Sequence, residues 1–317
     1  MANADQELQM VERAACLIVG KTKNGEGNLV SYKGTGFHYG NGWIMTVAHN
    51  FQDENEMNET IHSIFSNGKF RVEFDIEGQK YVFPAEERKR MAFIHHLEPG
   101  EDTDFKNKDI AMVKLGHQWG HGGRDYPPWE EEERKMLDEM GARWFALCEM
   151  GPLTPIKNET VYAVHFGGAN HSKKSEKSKI LRTTPPSPNQ VSMLHLEKKK
   201  GVLPAGASGC PIMVKRGVNY RLVGLHFSGD DDNEDGGAQA LPWNQGIRDY
   251  INTGVGIIAG IGSYMAYSRH ASQLEGSPEL QETASDKARG CREGLESKAE
   301  GANVTIYLCN GEVINQQ

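Results

Sequence analysis

The chain is predicted to be all-β, with two antiparallel barrels in series, and three features of the sequence carry that expectation. Between residues 14 and 115, short β-branched or aromatic runs alternate with Gly and Asn turns. Residues 116–149 then break the pattern with a Gly/His/Pro-rich stretch that passes into a run of Glu, Arg and Lys. From Thr160 the strand texture returns and continues to about Thr253.

Each element follows from its local pattern. ACLIV, LVSYKGTGFHYG, GWIMTVAH, KFRVEFDIEG, YVFPAEE, MAFIHHL and IAMVKL supply the strands of a first barrel over 14–115. The dipeptides Asn41-Gly42, Asn67-Gly68 and Glu77-Gly78 favour antiparallel hairpins between neighbours. In the connection, 116–149, Pro128 precedes EEEERKMLDEMGARW, which suits a short surface helix. The second barrel, 150–253, takes its strands from TVYAVHFGG, QVSMLHLEK, CPIMVK and YRLVGLHFSG. NHSKKSEKSK between the first two reads as a solvated basic loop. GAQALPWNQGIRDYIN reads as a last strand and a short helix starting near Trp243 or Asn244. Residues 254–317 form a C-terminal extension in which Val255–Ile261 is too short to cross a membrane and reads as core. Within it, 268–302 is poor in large apolar groups and reads as a linker or loose helix. The closing TIYLCNGEVINQQ carries Asn310-Gly311 and reads as a hairpin able to dock on a barrel.

Composition narrows the function. In 317 residues, 35 basic against 43 acidic side chains give a net charge of -8, so no positive field draws the chain to nucleic acid or an anionic membrane. Five widely spaced cysteines form no CxxC pair and are expected as reduced thiols. His95-His96 and the His117/His121 pair have no accompanying ligand pattern, so neither metal nor cofactor is expected. The first residues are acidic and the run Ala14–Val19 is too short for a signal peptide, which points to a cytoplasmic location.

Three separated segments carry the chemistry, with His49 in GWIMTVAHNF, Asp109 in NKDIAMVKL and Ser208 in LPAGASGCPIM. A serine hydroxyl attacks poorly near neutral pH unless a base takes its proton and a carboxylate orients that base. The order His, Asp, Ser differs from that of α/β-hydrolases and subtilisins. Thr46-Val47-Ala48-His49, Asp109-Ile110-Ala111-Met112-Val113-Lys114-Leu115 and Gly206-Ala207-Ser208-Gly209-Cys210-Pro211 together resemble the motifs of the chymotrypsin-like serine endopeptidases, over residues 14–253. The resemblance implies two antiparallel six-stranded barrels with a short C-terminal helix and a tail. It also implies an oxyanion hole from the backbone N–H groups of Gly206 and Ser208. Where secreted relatives carry a disulfide cysteine after the histidine, this chain has Asn50, and where zymogens carry Asp before the serine it has Ala207. Cys210 is the rival nucleophile, but it sits two residues past Ser208 and reads as a buried thiol.

Specificity is expected from the segments flanking the nucleophile. No acid lies between Val202 and Ala207, which disfavours a pocket for Lys or Arg. Gly224-Leu225-His226-Phe227-Ser228-Gly229 resembles the specificity strand of glutamyl endopeptidases and picornavirus 3C-like proteases. That resemblance places His226 at the base of a pocket for Glu or Gln, with Leu203, Ser228 and Gly229 around it; Leu203 stands where those families usually have Thr. The expected activity is that of a trypsin-like serine endopeptidase acting on protein or peptide through an acyl-enzyme. The same residues also suit a catalytically silent binding module or a viral-type processing protease. The tail from Ser268 onward is a candidate to contact the protease unit and cover its cleft.

Overall fold

The computed structural model describes residues 4–23, 29–40, 43–51, 70–84, 92–95, 110–114, 154–184, 193–197, 203–217, 219–228, 238–243, 278–301, 305–308 and 313–314, with scattered positions between 248 and 271. Strands dominate. The first unit holds β1 (Ala15–Lys23), β2 (Leu29–Gly40), β3 (Trp43–Thr46), β4 (Phe70–Ile76), β5 (Gln79–Pro84), β6 (Ala92–His95) and β7 (Ala111–Lys114). The second holds β8 (Thr160–His165), β9 (Lys174–Thr184), β10 (Met193–Leu196), β11 (Pro211–Arg216), β12 (Asn219–Ser228) and β13 (Gln239–Pro242). The α1 helix (Ala4–Ala14) precedes them, and α2 (Pro278–Gly301), β14 (Thr305–Leu308) and β15 (Val313–Ile314) follow. Among the described residues, no helix is long and apolar enough to cross a membrane.

The second unit closes into a six-stranded barrel in the order β10-β13-β12-β11-β8-β9. Its strands sort their side chains with the two-residue period of a pleat. Val161, Ala163, Ile212, Val214 and Val223 fill the barrel interior, while Val164, Met213 and Leu222 point outward into a second core. The stretch expected as a solvated loop is most of β9, paired to both β8 and β10. Its faces alternate, with Ser178 and Ile180 buried and Lys177 and Lys179 exposed, so those two charges lie on the solvent face.

The first unit is not closed by strand pairing among the described residues. It is a nine-stranded antiparallel sheet, β15-β14-β6-β7-β3-β2-β1-β4-β5, in which the last two strands of the chain extend the expected seven. The Glu77-Gly78 hairpin forms as expected, both residues having positive φ (54° and 84°) and joining β4 to β5. The sheet packs on the outer face of the barrel through one continuous core that runs from Leu17, Phe37 and Met112 to Leu225, Trp243, Leu295 and Ile306.

The hairpin expected at the end of the chain forms as β14 and β15, whereas the stretch expected as a linker or loose helix holds the ordered helix α2. In α2, Ala284, Ala288, Leu295 and Ala299 are buried along one stripe, and β14 pairs antiparallel with β6. The stripe is mostly alanine, small enough that mean apolarity stays low while the helix still has a face to bury. The N-terminal helix α1 buries Val11 and Ala14. Its Arg13 pairs with Glu77 of the β4–β5 turn, and its Glu12 accepts from Ser175 Oγ at 2.5 Å, so it touches both units.

Candidate active site

The β3 strand is buried along its whole length and pairs with β7 so that Thr46 lies opposite Ala111. The chain then enters a short 3-10 helix, Ala48–Phe51, which carries His49. Asp109 lies outside the described residues; the segment that follows it starts with buried Ile110 and leads into β7. From the barrel side, residues 203–210 form the turn before β11 and carry Ser208, which is half-buried.

These two segments meet. Asn50, next to His49, is 5% exposed, and its Nδ2 donates to the Ser208 carbonyl at 2.9 Å and to Thr46 Oγ1 at 2.8 Å. The N–H of Thr35 in β2 donates to the same Ser208 carbonyl at 2.9 Å. Thr35 Oγ1 donates to Gly206 O at 2.8 Å and accepts from Phe166 N–H at 3.0 Å, while Thr46 Oγ1 donates to Thr35 O at 2.7 Å. Fully buried Thr35 thus links the first sheet, the Ser208 turn and the end of β8. A buried polar chain is held only when its members satisfy one another, and these do.

Two glycines make the close approach possible. At Gly34 a Cβ would fall 2.2 Å from the Asn50 side chain. Gly209, at φ +88°, would place one 2.2 Å from both Thr35 O and Thr46 Oγ1. A side chain at Gly209 would push the Ser208 turn away from the first sheet, and one at Gly34 would displace the Asn50 amide that reaches across to it.

In the turn itself, the N–H groups of Ala207, Gly209 and Cys210 donate to Pro204 O, His226 O and Ala207 O, at 2.9, 2.8 and 3.0 Å. Among the described residues, no backbone acceptor engages the N–H of Gly206 or of Ser208. The Gly209 bond ties the Ser208 turn to β12, where His226 is fully buried and paired opposite Ala240. The next residue, Phe227, meets the His49 ring edge-to-face with centroids 5.5 Å apart.

The predicted site residues therefore divide. His49, Ser208, Gly206 and His226 gather at the junction of the two units, whereas Asp109 and Gly229 lie outside the described residues and Ser228 is described only as the end of β12. Leu203 is 2% exposed and belongs to the barrel interior, packed with Ala207 and Ile212, rather than to an open pocket wall. Cys210 is buried in the same interior, and desolvation pushes its thiol well above its ordinary range, which leaves it a poor nucleophile. Cys16, Cys210 and Cys291 are free thiols. Thr35, Asn50 and Phe227 were not singled out as site residues from sequence. The signal for Thr35 was its setting in Gly-Thr-Gly inside a strand, a pattern that marks close approach of another backbone.

No family model matches this chain, and no curated protein does. Among solved structures, the chain is similar to the active form of the Rv3671c protease from M. tuberculosis, with a TM-score of 0.43 and 13% identity over 74% of this chain and 78% of that one. It is similar also to Deg5, at 0.41 and 14% over 75% and 87%, and to tobacco vein mottling virus protease, at 0.40 and 14% over 77% and 81%. Likenesses this distant carry no argument about the chemistry of this chain, which rests on its own residues.

Proposed function

We propose that the chain is a serine endopeptidase in which Ser208 is the nucleophile, His49 the general base and Asp109 the group that orients His49. The observation that carries this reading is the double hold on the Ser208 carbonyl. Asn50 from the histidine-bearing helix and Thr35 from β2 both donate to it at 2.9 Å, which sets the segment with the base against the segment with the nucleophile.

In the proposed reaction, Ser208 Oγ attacks the scissile carbonyl carbon as His49 takes its proton. The C–N bond then breaks, and the leaving amine receives that proton. Water, deprotonated by the same imidazole, hydrolyses the resulting ester and regenerates the serine. The N–H groups of Gly206 and Ser208, which no backbone acceptor engages among the described residues, support their assignment as the oxyanion donors, a contribution of about 3 kcal/mol each in such sites. Burial of the Cys210 thiol supports serine over cysteine as the nucleophile. A preference for Glu or Gln before the scissile bond rests on the resemblance of the His226 strand alone, because His226 has no exposed surface.

A diverse peptide library, digested under reducing conditions and read by mass spectrometry, tests both levels. Ser208→Ala is expected to lose at least about a thousandfold in rate. Equal cleavage by wild type and variant would remove the assignment of Ser208. Cuts by the wild type clustered after a residue other than Glu or Gln would keep the serine and discard the His226 pocket.

A further inference from the structure

A buried histidine and a carboxylate sit beside the nucleophile turn and take no part in the chemistry above. His165, the last residue of β8, is fully buried, and its Nδ1 accepts the Gly167 N–H at 2.9 Å. That bond leaves the ring proton on Nε2, which lies 3.0 Å from Glu176 Oε2 and points at it obliquely. The same Oε2 accepts the N–H of Leu203 at 2.9 Å. Leu203 opens the turn with φ +53°, a conformation that a branched side chain keeps only where its surroundings hold it.

The grip continues along the chain toward Ser208. Gly168 N–H donates to Ala205 O at 2.9 Å, and Gly206 O accepts from Thr35 Oγ1. Residues 203, 205 and 206 are thus held in turn from outside, and the first of these holds is the carboxylate.

We propose that Glu176 is a positioning residue for the nucleophile turn, its Oε2 pinning the Leu203 N–H and the His165 ring so that the Gly206 and Ser208 amides keep their place. This rests on the reading of Ser208 as nucleophile. Because the Leu203 N–H and the His165 ring meet one oxygen, an amide oxygen in the same place keeps the Leu203 bond and the ring contact. Glu176→Gln therefore separates hydrogen bonding from charge.

The test uses the full chain with Glu176→Ala, Glu176→Asp and Glu176→Gln, each checked for folding by its thermal transition. Asp keeps the charge and falls one methylene short of Leu203, so it serves if the alanine variant does not fold. Alanine and aspartate are expected to lower kcat roughly ten- to a hundredfold with KM little changed, and glutamine to stay within about threefold of wild type. Hydrogen exchange supplies a readout independent of turnover. The amides of 203 and 205–208 are expected to exchange faster in the Asp or Ala variant, with those of β11 and β12 unchanged. Unaltered exchange across 203–208 overturns the proposal, and so does a glutamine variant as impaired as alanine. If Ser208→Ala retains the wild-type rate while exchange at 203–208 responds to Glu176, the nucleophile assignment fails and the pinning of the turn stands. The reverse pattern condemns the pinning alone.

Discussion

Asn50 shows how much of the site depends on one amide. Its Nδ2 serves the Ser208 carbonyl and Thr46 Oγ1 while it is almost wholly buried. Asn50→Ala leaves these acceptors dry and short of a donor, a loss of about 1–3 kcal/mol. Denaturant unfolding is expected to show it as a lower midpoint with an unchanged slope; an unshifted midpoint would mean that the network carries no stability. From sequence, Asn50 is legible only as the residue that stands where the secreted proteases the motifs resemble place a cysteine, because a carboxamide announces no partner until the fold supplies one. The residues proposed for catalysis stand out in the sequence because the proposed chemistry constrains type and order together. His165 gives a pH dependence with a definite sign. Burial, its largest influence, holds the imidazole below its ordinary 6.5, with Lys174 acting in the same direction and Glu176 opposing both. The folded chain therefore binds fewer protons than the unfolded one as pH falls below that value. The stability from this group is complete above the unfolded pKa and declines beneath it, by up to about 1.4 kcal/mol per pH unit. Denaturant midpoints at about pH 7.5 and 5.5 are expected to differ more for wild type than for His165→Gln. Equal differences would locate the acid sensitivity elsewhere.

At the scale of elements, legibility tracked how each segment divides its two faces. In β4, Val72, Phe74 and Ile76 are buried between half-exposed Arg71, Glu73 and Asp75, and such a strand is readable from its text. In β9 the same alternation is present, but its inward positions begin with Glu176 and Ser178, which carry no apolar signal. Ser178 is accommodated because its Oγ donates to Glu197 O at 3.0 Å, a partner that sequence does not reveal. The solvent side of that strand is stabilised locally, with Lys177 Nζ 5.2 Å from the Tyr162 ring centre. The α2 helix fails to announce itself for a related reason, since three of its four buried residues are alanines. Its exposed side is held by pairs one turn apart, Arg289 with Asp286 at 2.5 Å and Arg292 with Glu296 at 2.9 Å, a pattern that supports a helix but leaves its docking face unspecified.

Across the whole molecule, the two units and the C-terminal region share one core, and Lys173 fastens them further. Its ammonium donates to the carbonyl of Asp75 in β4 and lies 5.7 Å from the ring centre of Phe166, while burial lowers its pKa. The sequence offers the docked hairpin but not the shared core, because the stretch that forms α2 reads there as a linker or loose helix. Truncation after residue 277 tests the difference. It removes Leu295, Ile306 and Ile314 from the shared core, each a burial of about 1.5–3 kcal/mol, together with the pairing of β14 to β6. The truncated chain is expected to lose its cooperative thermal transition or to collect as insoluble protein. A shortened chain with the full-length Tm would show α2 and the hairpin to be dispensable. The β14–β6 pairing also has a temporal meaning. Thr305 lies opposite His95, so strands made roughly two hundred residues apart during synthesis must meet before that edge of the sheet exists. On the ribosome, β6 must therefore wait with that edge unpaired while the entire barrel is translated. Nascent chains stalled before residue 305 would carry His49 on an incomplete sheet, so the proposed activity would arrive late in translation.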